Sequence, residues 1–332
     1  MAPHLTVAEL IDLGDLDELL RRVDALCDDR DWDGLLGLRD RCRMAFARGR
    51  QLWPAAAHAE YRLAVQAPGK WAASVVGGGG PFSLGPLTEV AASTHTWAEL
   101  GPHLPSSPEA ALVAHERVVR GEDLSGAAAD VDSGVLELPL RLQPWEPVYP
   151  LATYRPYTAE FEDVAAPDRG WLVVDMDREG ATVEVVDDPE AVHALLELVS
   201  AWTTQSNGRA TAAAVVGTAK HAIAAVTGAS RVRLVEVTPA HALALLAWAA
   251  ASGGAHGRRR GMASGRFAAW WTLAALAGEL DAWPDLAGSG ALERLRWFRW
   301  ERLEPSSGWV LRVAAESPAE NRAWAMEATD QA

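Results

Sequence analysis

The residues best suited to chemistry fall in one stretch, Ser252-Gly-Gly-Ala-His-Gly-Arg258-Arg259-Arg260-Gly-Met-Ala-Ser264-Gly-Arg266. Four arginines in nine residues stand out in a chain whose formal net charge is -15. A guanidinium is a planar fork of N–H donors that matches the oxygens of a carboxylate or phosphate. Ser264 is placed to cap the helix that follows, and the helix N-terminus would turn amides and a positive dipole end toward the same ligand. Arg258, Arg259, Arg260, Ser264 and Arg266 are therefore candidates for holding a small anion or an acidic partner. The plainer reading is a solvated loop, or a salt-bridge latch onto Asp28, Asp29, Asp31 and Asp33, because a charge run is usually a solvated face.

A second candidate is the alternation Arg296-Trp297-Phe298-Arg299-Trp300. Arg296, Trp297, Arg299 and Trp300 on one strand would suit an aromatic–arginine partner surface. Asp175-x-Asp177 offers oxygens to a divalent cation but reads better as turn chemistry. The nine histidines are scattered, and His58, His115, His193, His221 and His241 fall inside expected helices, where a lone imidazole is more often packed or solvated than catalytic. No metal and no cofactor are expected.

Several enzyme classes lack their residues. A phosphate loop needs Gly-Lys-Ser/Thr, and neither Lys70 nor Lys220 is followed by a hydroxyl residue. The run Gly77–Gly80 comes nearest a dinucleotide fingerprint, but Pro81 follows it and Phe82 takes the third glycine position. His115-Glu116 has no second histidine one helical turn on, and no Gly-x-Ser-x-Gly elbow occurs.

The elements that must position these residues follow from periodicity. Leu16, Leu19, Leu20, Val23 and Leu26 recur at helical spacing. Asp31 caps a second helix, Trp53-Pro54 opens a third, and Ser107-Pro108-Glu109 starts another after helices around Leu87–Leu100. Trp32, Trp71 and Trp97 each precede small residues, but at unequal separations, so an irregular, repeat-like helical array is expected over 1–121. Residues 122–169 carry six prolines and read as a connector, with an extended stretch at Val135–Leu142. Its aromatics Trp145, Tyr149, Tyr154 and Tyr157 are expected to pin it to a domain surface, with a ligand groove the lesser alternative.

From 170 to 332 the pattern is mixed. Trp171–Met176 and Thr182–Val186 read as a hairpin around Asp177–Gly180, Val232–Val237 as a strand, and Leu295–Arg302 with Trp309–Ala314 as a second hairpin around Glu304–Gly308. Asp188-Pro189, Thr238-Pro239 and Ser317-Pro318 each look like a cap followed by proline at the first helical position, predicting helices at Pro189–Trp202, Pro239–Ala251 and Pro318–Ala328. The fold class expected is α+β and predominantly helical: a helical array followed by an α+β domain with a small, mainly antiparallel sheet.

The 332 residues are 49% hydrophobic and include 15 tryptophans and two cysteines, Cys27 and Cys42. Two cysteines make no disulfide framework and fit a reducing compartment, and no signal peptide or membrane span is evident, so a cytoplasmic location is expected. The acidic balance disfavours nucleic acid as a partner. The expected function is a non-catalytic interaction or regulatory module for a protein partner or small anionic ligand. The alternative is an enzyme on an anionic substrate, with dispersed residues near Arg258–Arg260.

Overall fold

The computed structural model describes residues 5–78, 84–176, 183–286, 290–304 and 306–331. The expected turn at Asp177–Gly180, the second member of Asp175-x-Asp177, the run from Gly79 to Phe82, and Pro305 lie outside them. Two compact units emerge, Met1–Val135 with Ala152–Phe161, and Leu136–Leu151 with Glu162–Ala332.

In the first unit, helices begin where side chains supply acceptors for otherwise orphan amides. Asp31 accepts from the Gly34 amide at 2.9 Å, and Ser107 from the Ala110 amide at 3.3 Å. The helix Trp53–Gln66 is the central one and packs against Leu16–Asp28, Trp32–Ala47 and Leu87–Thr94. Its small residues Ala55, Ala56 and Ala59 are buried and let neighbouring helices approach. A two-stranded hairpin, β1 (Ala152–Tyr154) and β2 (Ala159–Phe161), adds Ala152 and Tyr154 to the same core. The Tyr154 hydroxyl donates at 2.7 Å to the fully buried Glu89 carboxylate.

The second unit is built on a seven-stranded sheet whose strands are β3 (Leu172–Asp175), β4 (Glu184–Val186), β5 (Arg209–Val216), β6 (Arg231–Val237), β7 (Arg296–Arg302), β8 (Trp309–Ser317) and β9 (Arg322–Asp330). Their order is β3-β6-β7-β8-β9-β5-β4, and every pairing is antiparallel. The fold is thus mixed helix and sheet, as expected, but the sheet is larger than the sequence suggests. Helices cover both faces. Phe298, Trp300, Ala314, Ala323 and Ala325 pack with Ala219, Ala222 and Ile223 of the helix Ala219–Val226. On the opposite parity, Trp309 stacks on Trp248 of the helix Pro239–Ala251, with ring centroids 5.2 Å apart.

Three expectations are corrected. Trp171–Met176 and Thr182–Val186 form no hairpin: β3 and β4 stand at opposite edges of the sheet, and β3 pairs with β6, Leu172 opposite Leu234. Ser317-Pro318 opens no helix either. Residues 318–321 turn back, Asn321 takes φ 49°, and β9 pairs along both β8 and β5. The other two proline junctions do start helices, with Asp188 accepting from the Ala191 amide and Thr238 from the His241 amide. Val135–Leu142 forms no strand, and Leu136 and Glu137 carry positive φ. Among the described residues no helix is long and apolar enough to cross a membrane.

Candidate functional site

The arginine loop joins the helices Pro239–Ala251 and Met262–Leu276, which lie close because Gly265 has no Cβ: one there would meet the Ala247 carbonyl oxygen at 2.4 Å. Its backbone is fastened from below. Asp330 at the end of β9 accepts from the Ala255 amide at 2.6 Å through one oxygen and from the Ser206 hydroxyl at 3.0 Å through the other. Ser206 Oγ in turn accepts from the His256 amide, and Gln205 Oε1 from the Arg258 amide, both at 3.2 Å. The Arg260 amide closes the loop onto the Ala251 carbonyl at 2.7 Å. Three glycines make this possible. Gly254 has φ 71°, and Cβ atoms at Gly253, Gly254 and Gly257 would meet oxygen atoms at 2.2–2.3 Å.

With the main chain tied down, the side chains of Arg258 and Arg260 are exposed and Arg259 is half-buried. Arg260 Nη1 lies 3.3 Å from Ser200 Oγ and 3.8 Å from the half-exposed Glu197 carboxylate, a long pair of the kind that water and salt weaken. Two of the four aspartates named as latch partners have local tasks: Asp31 caps a helix and Asp33 accepts from Trp71 Nε1 at 2.9 Å.

The loop does not bring all its expected residues together. Arg266 is fully buried with Glu146, both side chains at 0% exposure, with Nε 2.7 Å from Oε2. The same guanidinium donates to the Pro139 and Arg141 carbonyls at 2.9 and 3.0 Å. Glu146 also accepts from the Tyr149 hydroxyl at 2.6 Å and Trp270 Nε1 at 3.1 Å. Burial alone would raise the Glu146 pKa, but the Arg266 guanidinium and these donors hold it below the usual carboxylate range. Arg266 is thus a clamp on the segment 136–151, and its expected ligand-facing role is corrected. Ser264 caps nothing, since the helix starts at Met262 behind Gly261, whose φ is 91°.

The aromatic–arginine strand is also corrected as a surface. Trp297 and Trp300 are at 0% exposure because both sheet faces are covered. Arg296 bridges Glu236 and Glu316 at 2.6 and 2.7 Å, and Arg299 donates to the Val164 carbonyl at 2.8 Å. The connector aromatics do pin as expected in three cases. Tyr149 and Tyr154 are buried, and Trp145 lies 4.7 Å from Trp270, centroid to centroid.

Tyr157 behaves differently. It is 66% exposed and, with Pro156, forms one wall of a pocket of about 360 Å³ in the first unit. The other wall is a stripe of the helix Trp53–Gln66, namely Trp53, Pro54, Ala57, His58 and Tyr61, with Leu84 beside it. The i, i+4, i+8 spacing of Trp53, Ala57 and Tyr61 was visible in the sequence; the wall facing it was not, because it arrives from 100 residues away. Behind the pocket, Asp24 Oδ1 accepts from the Tyr157 hydroxyl at 3.0 Å and from Arg62 Nη1, and lies 3.5 Å from His58 Nε2. Among the described residues, no three His, Cys, Asp or Glu side chains gather as a metal site requires.

Residues 17–332, nearly the whole chain, match a family of unknown function, DUF6183. Neither the curated proteins nor the solved structures contain a match to the chain.

Proposed function

The chain belongs to the DUF6183 family, and on that premise we propose that it is a non-catalytic interaction module that holds an anionic group on Arg258 and Arg260, with Arg259 beside them. The observation that carries this reading is the contrast between a fastened loop backbone and the exposed side chains of Arg258 and Arg260, the latter held only by long contacts to Ser200 and Glu197. The ordering cost of the backbone is met before a ligand arrives, so the arginine side chains alone lose freedom when an anion docks. A phosphate or carboxylate on a small molecule fits two neighbouring guanidinium forks. An acidic protein segment offers the same carboxylates and is the second form of partner. The overall charge of -15 supports a local rather than a general attraction, because distant acidic residues are screened beyond roughly 8–10 Å in salt.

Catalysis at this loop gains no support from Asp330, whose two oxygens are spent on Ala255 and Ser206. A thermal-shift panel of inorganic phosphate, nucleotides, sugar phosphates and dicarboxylates is the direct test. Stabilisation by at least one polyanionic class is expected, growing with ligand concentration. A flat response across the whole panel, together with no acidic peptide bound, removes the proposal.

A further inference from the structure

The pocket between the helix Trp53–Gln66 and the turn at Pro156-Tyr157 is independent of the arginine loop and has its own chemistry. We propose that it binds a small, neutral, planar aromatic molecule carrying one N–H or O–H group, of the indole or phenol class.

Size sets the first limit. A volume of about 360 Å³ sits at the small end of the roughly 300–1,000 Å³ typical of ligand pockets, and suits one or two fused rings. Charge sets the second. No Lys, Arg, Asp or Glu is among the described residues that line it, so a carboxylate would find no partner, and the Arg62 guanidinium already over the Tyr157 ring disfavours a second cation there. Shape sets the third: Trp53, Tyr61 and Tyr157 present rings, which reward a flat π surface by offset or edge contact.

The polar contact follows from the acceptors that the lining offers. The Tyr61 hydroxyl gives its proton to the Arg155 carbonyl at 2.6 Å and the Tyr157 hydroxyl gives its proton to Asp24 at 3.0 Å, so both oxygens are left as acceptors. His58, which lines the pocket, turns Nε2 toward Asp24. With Nε2–H facing the carboxylate, Nδ1 keeps the ring's lone pair, so the hydroxyl oxygens and the imidazole of the lining favour a ligand that donates one hydrogen bond. Arg62 sits 4.7 Å from the Tyr157 ring centroid and steadies that wall before any ligand arrives.

The test is isothermal titration of the intact protein with indole and, separately, with phenol, against cyclohexanol and benzoate at matched concentration. Indole and phenol are expected to bind, and cyclohexanol and benzoate at least tenfold more weakly. Ala57→Phe fills the pocket from a half-exposed position, and Tyr157→Ala removes an exposed wall; each should weaken indole at least tenfold while the melting profile persists. Replacing Arg258, Arg259 and Arg260 together should leave indole binding unchanged, which separates this site from the anion loop. No indole binding, equal binding of cyclohexanol or benzoate, or indole binding indifferent to both pocket variants overturns the proposal.

Discussion

Arg266 and Glu146 show what one buried pair does in this chain. Both charges have left water, and their mutual attraction offsets that cost only while the Pro139 and Arg141 carbonyls, Tyr149 and Trp270 complete the network. Arg266→Met should strand the Glu146 carboxylate and cost about 3–5 kcal/mol in a denaturant titration; a loss under ~1 kcal/mol would mean the pair is not isolated from solvent. His58 gives the pH dependence. Burial pulls its imidazole below the ordinary value against the opposing pull of Asp24, so the folded chain takes up this proton less readily than the unfolded one. Its contribution is whole above about pH 6.5 and declines as pH falls below that toward the depressed native value. His58→Gln should therefore flatten the loss of stability just below pH 6.5, measured by urea unfolding at several pH values; an unchanged slope would contradict it. Neither pairing could be read from the sequence, because Arg266 finds its partner 120 residues away and His58 finds Asp24 on another helix.

Among the elements, the arginine loop is held by geometry that tolerates only glycine. Gly254→Ala forces a Cβ to 2.2 Å from Asp330 Oδ2 at a φ of 71°, whereas Gly278→Ala has φ 68° with open space around it. Both should carry the left-handed backbone penalty of roughly 1–2 kcal/mol. Gly254→Ala alone should add the loss of the Asp330 anchor, so its melting temperature should fall further. Equal shifts in the two variants would show that the loop is not fastened through Asp330. The helices around it were legible, since Thr238-Pro239 caps and starts the first where expected. The same signature failed at Ser317-Pro318. β9 is covered on both faces, with Ala323, Trp324, Ala325 and Met326 all buried, so its sequence shows an apolar run with no period of two to set against the cap. The false hairpin at 171–186 has a related cause: adjacent apolar runs suggest local pairing, while the register of β3 is set by Leu234 and its neighbours far along the chain.

At the scale of the whole molecule, the two units interleave in sequence. Residues 136–151 belong with the sheet, while 152–161 return to the helices and bring Tyr154 to Glu89. Composition reads this proline-rich stretch as one connector because it shows no helical period, and the two destinations appear only when its aromatics are followed to their partners. The candidate sites divide along the same line, an anion loop on the sheet-bearing unit and an aromatic pocket on the helical one. Their side chains have opposite physical requirements, exposed charge for the first and uncharged rings for the second. The proposed function rests on the first. Its most direct measurement is calorimetric binding of the best polyanion from the thermal panel to the natural chain and to a variant with Arg258, Arg259 and Arg260 replaced by glutamate. Saturable binding to the natural chain is expected, with at least a hundredfold weaker binding to the variant and an unchanged melting temperature without ligand. Equal affinity for both chains, or a variant that no longer folds, would contradict it.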